Sequence, residues 1–246
     1  MGNNVTQVPL ARQLARLHNA VVVTLQYRFA PEFVFPKQQE DILDNVTWLA
    51  TNAATIGADP TAGFVIGGSS AGGQLSAVVA QYLADEGFTP KITGLWQNIT
   101  LVLAKEIVPE KYRQHWVSRE DPNMQDSIIL STKDTGSVDA LWKPDYYSRY
   151  FSPFNSKTPH KDVVRRAYFQ VSGQDPLRDD SFVYEDALKE AGIATKLDVY
   201  PGLPHGFNSL LPTLKSSKTW KLDFYMGISW LLGKEITDEQ LKYLMI

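Results

Sequence analysis

The chain has 246 residues, no cysteine, and a formal net charge of -3 from 24 basic and 27 acidic side chains. This composition excludes disulfides and cysteine-ligated metals, and it offers no basic surface for nucleic acid or an anionic membrane. No apolar run approaches the ~18 residues of a membrane span. The opening sequence lacks the basic and apolar segments of a signal peptide, so a cytoplasmic location is expected. The length suits one α/β domain over residues 1–246.

Short apolar runs rich in β-branched residues alternate along the chain with segments of helical spacing. In chain order the first half of the pattern predicts a helix over 8–18, a buried strand over 20–26 (AVVVTLQ), a helix after Pro36, a strand over 64–66, a helix through Leu83 and a strand over 92–99. A long irregular stretch follows. After it the pattern predicts a strand over 167–171, a helix over 180–191, a strand over 197–200 and a helix over 220–232. Strands that alternate with helices predict an α/β fold with a mainly parallel sheet and helices on both faces.

The irregular stretch, at about 101–162, is rich in aromatic residues. A long segment of this kind between regular elements is more often functional than disordered, which favours a lid-like insertion. Trp116 and Trp142 within it, and Trp96 just before it, are candidates to roof an apolar pocket for a small-molecule substrate. The alternative is that these aromatic side chains belong to the core.

The segment Gly68-Ser69-Ser70-Ala71-Gly72 fits the G-x-S-x-G pattern, with a predicted strand before it and a predicted helix after it. A serine hydroxyl is a poor nucleophile unless it is held in the open beside a base, as on a sharp strand-to-helix turn. The N–H of Ala71 at the helix N-terminus would then suit a developing oxyanion. A flexible glycine-rich turn or a phosphate loop is the alternative, but the phosphate-loop lysine and the G-x-G-x-x-G spacing are both absent.

The partners of such a serine follow it in the order acid, then histidine. His205 lies in a Gly- and Pro-rich loop just beyond the last predicted strand, at the sheet edge where ligands bind in open α/β sheets. Asp175 directly follows the strand before that and is the predicted acid. Asp179 is the second candidate, although it and Asp180 are placed where they would cap the next helix.

Four motifs in this order cover nearly the whole chain: 27–32 (YRFAPE), 67–73 (GGSSAGG), 175–179 (DPLRD) and 200–207 (YPGLPHGF). Together they closely resemble the hormone-sensitive-lipase-like esterases, or α/β-hydrolase fold-3 group, and the insertion looks like that of fungal members. The resemblance implies an α/β-hydrolase fold with Ser70, Asp175 and His205 as the catalytic triad. It also implies a carboxylic-ester hydrolase, of the kind that serves secondary metabolism in many fungal members, that forms an acyl-enzyme on a small ester or acyl substrate without metal or cofactor.

Two features depart from the family pattern. Ser69 stands where the family usually has an acidic residue, and the family's His-Gly-Gly-Gly segment, with its oxyanion donors, is missing. The resemblance therefore implies an N-terminally shortened fold with Ala71 as the remaining donor, and turnover at least ~100-fold slower than with the segment restored. An acyl-transfer or cyclisation catalyst and a noncatalytic homologue are the alternatives. A homodimer is left open.

Overall fold

The computed structural model describes residues 4–237, 239 and 240. Its α-helices are α1 (Val8–His18), α2 (Lys37–Thr51), α3 (Ala71–Asp85), α4 (Thr132–Trp142), α5 (Arg178–Glu190), α6 (Phe207–Leu210) and α7 (Lys215–Leu231). Its strands are β1 (Val65–Ser69), β2 (Gly94–Asn98), β3 (Arg166–Gln174) and β4 (Ala194–Pro204). Short 3₁₀ turns are found at Asn4–Gln7, Ala53–Ile56, Lys105–Ile107, Glu110–His115, Pro122–Met124 and Pro153–Asn155. None of the helices in these ranges is both long and apolar enough to cross a membrane.

The four strands form one parallel sheet in the order β1-β2-β3-β4. Successive side chains of a strand point to opposite faces, so Leu95 and Phe169 join a core with α2, α3 and α5, whereas Trp96 and Tyr168 join a second core with α1 and α7. Helices therefore cover both faces, and the predicted α/β class with a mainly parallel sheet is confirmed. Because all strands run the same way, every loop that leaves a carboxyl end lies at one edge of the sheet.

The predicted strand over residues 20–26 is the main error in the secondary structure. This segment has no regular secondary structure and pairs with none of the four strands. Val21, Val22 and Val23 are 45%, 37% and 46% exposed, so the segment is not buried either. A run of β-branched residues favours an extended backbone, but only a neighbouring strand with free hydrogen-bonding groups makes it part of a sheet.

Two buried carboxylates fasten the long insertion to the start of α5. Asp180 accepts hydrogen bonds from the backbone N–H groups of Val102 and Leu103, at 2.8 and 2.9 Å. Asp179 accepts from the N–H groups of Val117 and Ser118, at 2.8 and 2.6 Å. The sequence predicted helix caps here, yet neither side chain caps α5. Backbone donors of an irregular segment need acceptors when they are buried, and these carboxylates supply them.

The insertion also contains a helix that the sequence did not predict. Ser131 and Asp134 form a reciprocal capping box at the start of α4, with each side chain accepting from the backbone N–H of the other. The helix includes Gly136, and none of its residues is buried. Because α4 has no apolar stripe, periodicity gave no signal for it.

Candidate active site

Ser70 occupies the turn between β1 and α3. Its backbone has φ 55° and ψ -117°, a conformation that costs a non-glycine residue energy and is found at functional turns. The Ser70 N–H donates to the carbonyl of Asn98, the last residue of β2, at 2.8 Å. The turn is thereby tied to the neighbouring strand, and the hydroxyl lies at the carboxyl edge of the sheet.

The glycines on either side of Ser70 differ in what they tolerate. A Cβ atom on Gly68 would lie 2.3 Å from the carbonyl carbon of Gly72, much closer than any real contact. A Cβ atom on Gly72 would meet nothing within 4 Å. Position 68 must therefore be glycine, because the end of the strand lies against the backbone of Gly72 in the first turn of α3. Position 72 has room for a side chain.

We expect Gly68→Ala to lower the free energy of unfolding by roughly 1–3 kcal/mol, because a methyl group cannot be accommodated against a backbone carbonyl. Gly72→Ala is the matched control and should be neutral or stabilising by up to about 1 kcal/mol, since alanine favours a helix more than glycine does. Denaturant unfolding of both variants measures the difference. Equal loss in the two variants would contradict this account of the turn.

The structure brings Ser70, His205 and Asp175 together. The Ser70 Oγ lies 3.0 Å from Nε2 of His205, and Nδ1 of His205 lies 2.8 Å from Oδ2 of Asp175. These residues directly follow β1, β4 and β3. Asp175 is fully buried, and its other oxygen accepts from the N–H of Leu177 at 2.9 Å. A hydroxyl, an imidazole and a carboxylate are thus joined in one hydrogen-bonded line.

The predicted oxyanion donor also lies at this edge. Ala71 is the first residue of α3, and the first four N–H groups of a helix have no acceptor within the helix. Its N–H is therefore at the positive end of the helix dipole, one residue after Ser70 in the sequence, and its role as oxyanion donor stays a prediction. Met1, Gly2 and Asn3 are the residues that could supply further donors in place of the missing His-Gly-Gly-Gly segment, and they lie outside the described residues.

Two of the three tryptophans predicted to roof the pocket are buried in the hydrophobic core. Trp96 is 9% exposed, donates to Gln170 Oε1 at 3.0 Å and packs in the α7 core. Trp116 is 7% exposed and donates to Asp180 Oδ1 at 2.8 Å. Both are core residues whose indole N–H has a buried acceptor, which favours the alternative that the sequence left open, and their place in a substrate pocket stays a prediction. Trp142 is half-buried against Phe35 and Phe151, and its role stays a prediction.

A different part of the insertion contacts the strand that carries the acid. Gln174 precedes Asp175. Its side-chain amide donates to the backbone carbonyl of Asn123 at 3.0 Å, and its backbone carbonyl accepts from the Ser127 hydroxyl at 3.4 Å. Met124, which lies between Asn123 and Ser127 in the sequence, is buried. Sequence reasoning missed this segment, because a 3₁₀ turn flanked by irregular chain has no periodicity to detect.

The arrangement is suited to removing a proton from a hydroxyl, since an imidazole nitrogen faces the Ser70 Oγ and a carboxylate holds the other nitrogen. Over the part of the chain that the structure describes, no three histidine, aspartate or glutamate side chains are grouped as a metal site.

Comparisons with known proteins agree with this fold. A family model described as the alpha/beta hydrolase fold matches residues 1–209. An AB hydrolase superfamily protein of Schizosaccharomyces pombe is 36% identical over 214 residues, which cover 87% of this chain and 62% of the relative. The versiconal hemiacetal acetate esterase of Dothistroma septosporum is 36% identical over 233 residues, covering 90% and 66%. The chain thus spans somewhat less than two thirds of the length of these two relatives.

A solved structure of vibralactone cyclase superimposes with a TM-score of 0.87 at 32% identity, over 94% of this chain and 67% of that one. A solved esterase from Pyrobaculum calidifontis gives a TM-score of 0.77 at 28% identity, over 94% and 72%. With the family match over most of its length, the chain belongs to the α/β-hydrolase fold-3, hormone-sensitive-lipase-like family.

Proposed function

We propose that this protein is a carboxylic-ester hydrolase that acts through an acyl-enzyme on Ser70, with His205 as general base and acid and Asp175 as its partner. The observation that carries the proposal is the unbroken line from the Ser70 Oγ through the His205 ring to Asp175, at 3.0 and 2.8 Å. The esterases among its relatives make an ester the favoured substrate class. Its substrate is then a small ester or acyl compound.

In the first half of the reaction, the Ser70 Oγ attacks the carbonyl carbon of the ester while Nε2 of His205 takes the hydroxyl proton. Asp175 accepts the Nδ1–H of His205, which leaves Nε2 free to act as the base and stabilises the imidazolium that forms. The carbonyl oxygen becomes an oxyanion, to which the N–H of Ala71 donates. Collapse of this intermediate breaks the bond to the leaving alkoxide, which takes the proton from His205.

In the second half, water attacks the acyl carbon and gives a proton to Nε2. The bond between the acyl carbon and the Ser70 Oγ breaks, and His205 returns the proton to Oγ, releasing the carboxylic acid. One histidine serves both steps because its Nε2 faces the serine oxygen at 3.0 Å.

We expect a fluorophosphonate probe to label the protein once, on the peptide that contains Ser70, since such probes capture serines activated by a neighbouring base. Intact-mass and peptide mass spectrometry of the full chain measure the adduct and its position. Labelling on another serine would overturn Ser70 as the nucleophile, and the absence of any labelling would overturn the proposed function in favour of a noncatalytic homologue.

A second candidate is a cyclisation or acyl-transfer catalyst, favoured by the likeness to vibralactone cyclase. It would use the same acyl-enzyme, but a hydroxyl group instead of water would attack it. Product analysis separates the two, since an ester that carries a hydroxyl on its acyl chain would give a lactone in one case and a free acid in the other.

A further inference from the structure

A line of hydrogen-bonded polar side chains crosses the sheet on the α7 face, next to the candidate site; its central members are buried and its two ends are half-buried. Ser69, the last residue of β1, accepts a hydrogen bond from the side-chain amide of Asn98 in β2 at 2.7 Å. The Asn98 Oδ1 in turn accepts from the indole N–H of Trp220 in α7 at 3.2 Å. Asn98 and Trp220 are both buried. The residue next to Ser70 is thus linked to the C-terminal part of the chain.

The same line of hydrogen bonds continues to β4, the strand that leads to His205. The side-chain amide of Gln170 in β3 donates to the Trp220 carbonyl at 3.0 Å and to the Tyr200 hydroxyl at 2.9 Å. Tyr200, in β4, donates to Asp223 at 2.9 Å. Burial raises the pKa of Tyr200, which keeps this hydroxyl a donor. We call Ser69, Asn98, Trp220, Gln170, Tyr200 and Asp223 the cross-sheet network.

The orientation of the Asn98 and Gln170 side-chain amides is fixed by neighbouring indole N–H groups, which can donate a hydrogen bond but cannot accept one. An indole N–H is only a donor, so the group that faces Trp220 Nε1 must be the Asn98 oxygen, and its NH₂ group must face Ser69. The Gln170 oxygen likewise faces the indole N–H of Trp96, at 3.0 Å. Fully satisfied buried networks rigidify the elements they join, because breaking one bond leaves a buried polar group without a partner.

Asn98 also holds the nucleophile turn through its backbone, since its carbonyl accepts the Ser70 N–H at 2.8 Å. One residue therefore fixes Ser70 from the main chain and Ser69 from the side chain. Tyr200 packs against Phe207, two residues beyond His205, with ring centroids 5.4 Å apart. The cross-sheet network thus contacts the turn that carries Ser70 and the loop that carries His205. These two segments must face each other for the serine to lose its proton.

We propose that the cross-sheet network positions Ser70 relative to His205, with Asn98 as its central positioning residue. This rests on the proposed function, since it concerns the distance across which the serine proton moves. Sites of this kind tolerate displacements of only about 0.5 Å, and a shift of about 1 Å can cost about 100-fold in rate. Loss of the Asn98 amide should therefore slow the chemical step more than it weakens substrate binding.

The test compares Asn98→Leu with Gln97→Met in the full chain. Gln97 is the matched control, because it is equally buried in the same strand but its amide lies on the other face, bonded to Ser76 at 2.9 Å. We expect Asn98→Leu to lower kcat for a short p-nitrophenyl ester at least ~10-fold with KM within ~3-fold. The kcat of Gln97→Met should stay within ~3-fold of the wild type even if its Tm falls equally.

A second pair of variants keeps the test open if Asn98→Leu does not fold. Ser69→Ala removes the acceptor of the Asn98 amide and should slow the reaction, whereas Ser69→Thr keeps the hydroxyl and should restore the rate to within ~3-fold of wild type. Equal kcat values for Asn98→Leu and Gln97→Met, or a Ser69→Ala variant as fast as wild type, would overturn the network alone. A wild-type chain that a fluorophosphonate does not label at Ser70 would overturn the proposed function and this inference together.

Discussion

We expect the Ser70→Ala variant to turn over a short p-nitrophenyl ester between about 10³- and 10⁶-fold more slowly than the wild type, with no fluorophosphonate adduct. The reason is that the variant keeps the base and the helix N-terminus but has no oxygen to form the acyl bond, and loss of the nucleophile alone removes almost all the contribution of a serine triad. The Ser70 side chain is small and half-buried, so the fold should survive the change. Stopped-flow and steady-state hydrolysis measure the rates.

The matched control is Ser137→Ala, which removes a hydroxyl from the exposed surface of α4. It should leave both turnover and labelling unchanged. If Ser70→Ala kept a tenth or more of the wild-type rate, the hydrolysis would not proceed through Ser70, and the assignment of the nucleophile would have to be withdrawn.

The second large effect is expected for Asp175→Asn, which should lower kcat by about 10⁴-fold with little change in KM. Asn is nearly isosteric, but its NH₂ group would face the Nδ1 of His205 and favour the tautomer that places the proton on Nε2. A protonated Nε2 cannot take the proton of Ser70. The Leu177 N–H that bonds the other oxygen can still be satisfied by the amide oxygen, so folding should be retained.

Asp179→Asn discriminates between the two acids that the sequence offered. Asp179 contacts the insertion backbone and Arg178, not His205, in the described structure. Its substitution should lower Tm, since a buried carboxylate with several donors is lost, but it should change kcat less than ~10-fold. A larger loss in kcat for Asp179→Asn than for Asp175→Asn would reverse the assignment of the acid.

Much of the candidate site follows from local sequence signals. The strand–turn–helix context of Ser70 requires only a short β-branched run, a glycine at 68 and a following helical pattern, all of which are local. The sequence predicted that His205 and Asp175 meet, because each follows a strand and parallel strands bring the loops after their carboxyl ends to one edge of the sheet. The resulting distances of 3.0 and 2.8 Å agree with that prediction.

Other features depend on contacts between residues that are far apart in sequence. Residues 20–26 have strand-like composition, yet a strand needs a partner, and this one pairs with none of the described strands. The sequence leaves Trp96 and Trp116 open as lid or core residues, and only the folded structure places Gln170 and Asp180 beside their indole N–H groups.

By itself the sequence determined the α/β class with its parallel sheet, the turn that carries Ser70, and the edge of the sheet at which His205 and Asp175 lie, because each depends on local pattern and chain order. Only the tertiary structure decided which face each buried polar side chain occupies, and hence the cross-sheet network. Asn98 and Trp220 are 122 residues apart, and no periodicity links them. Their hydrogen bond exists because β2 and α7 pack together, which depends on the complete three-dimensional arrangement of the sheet and its helices.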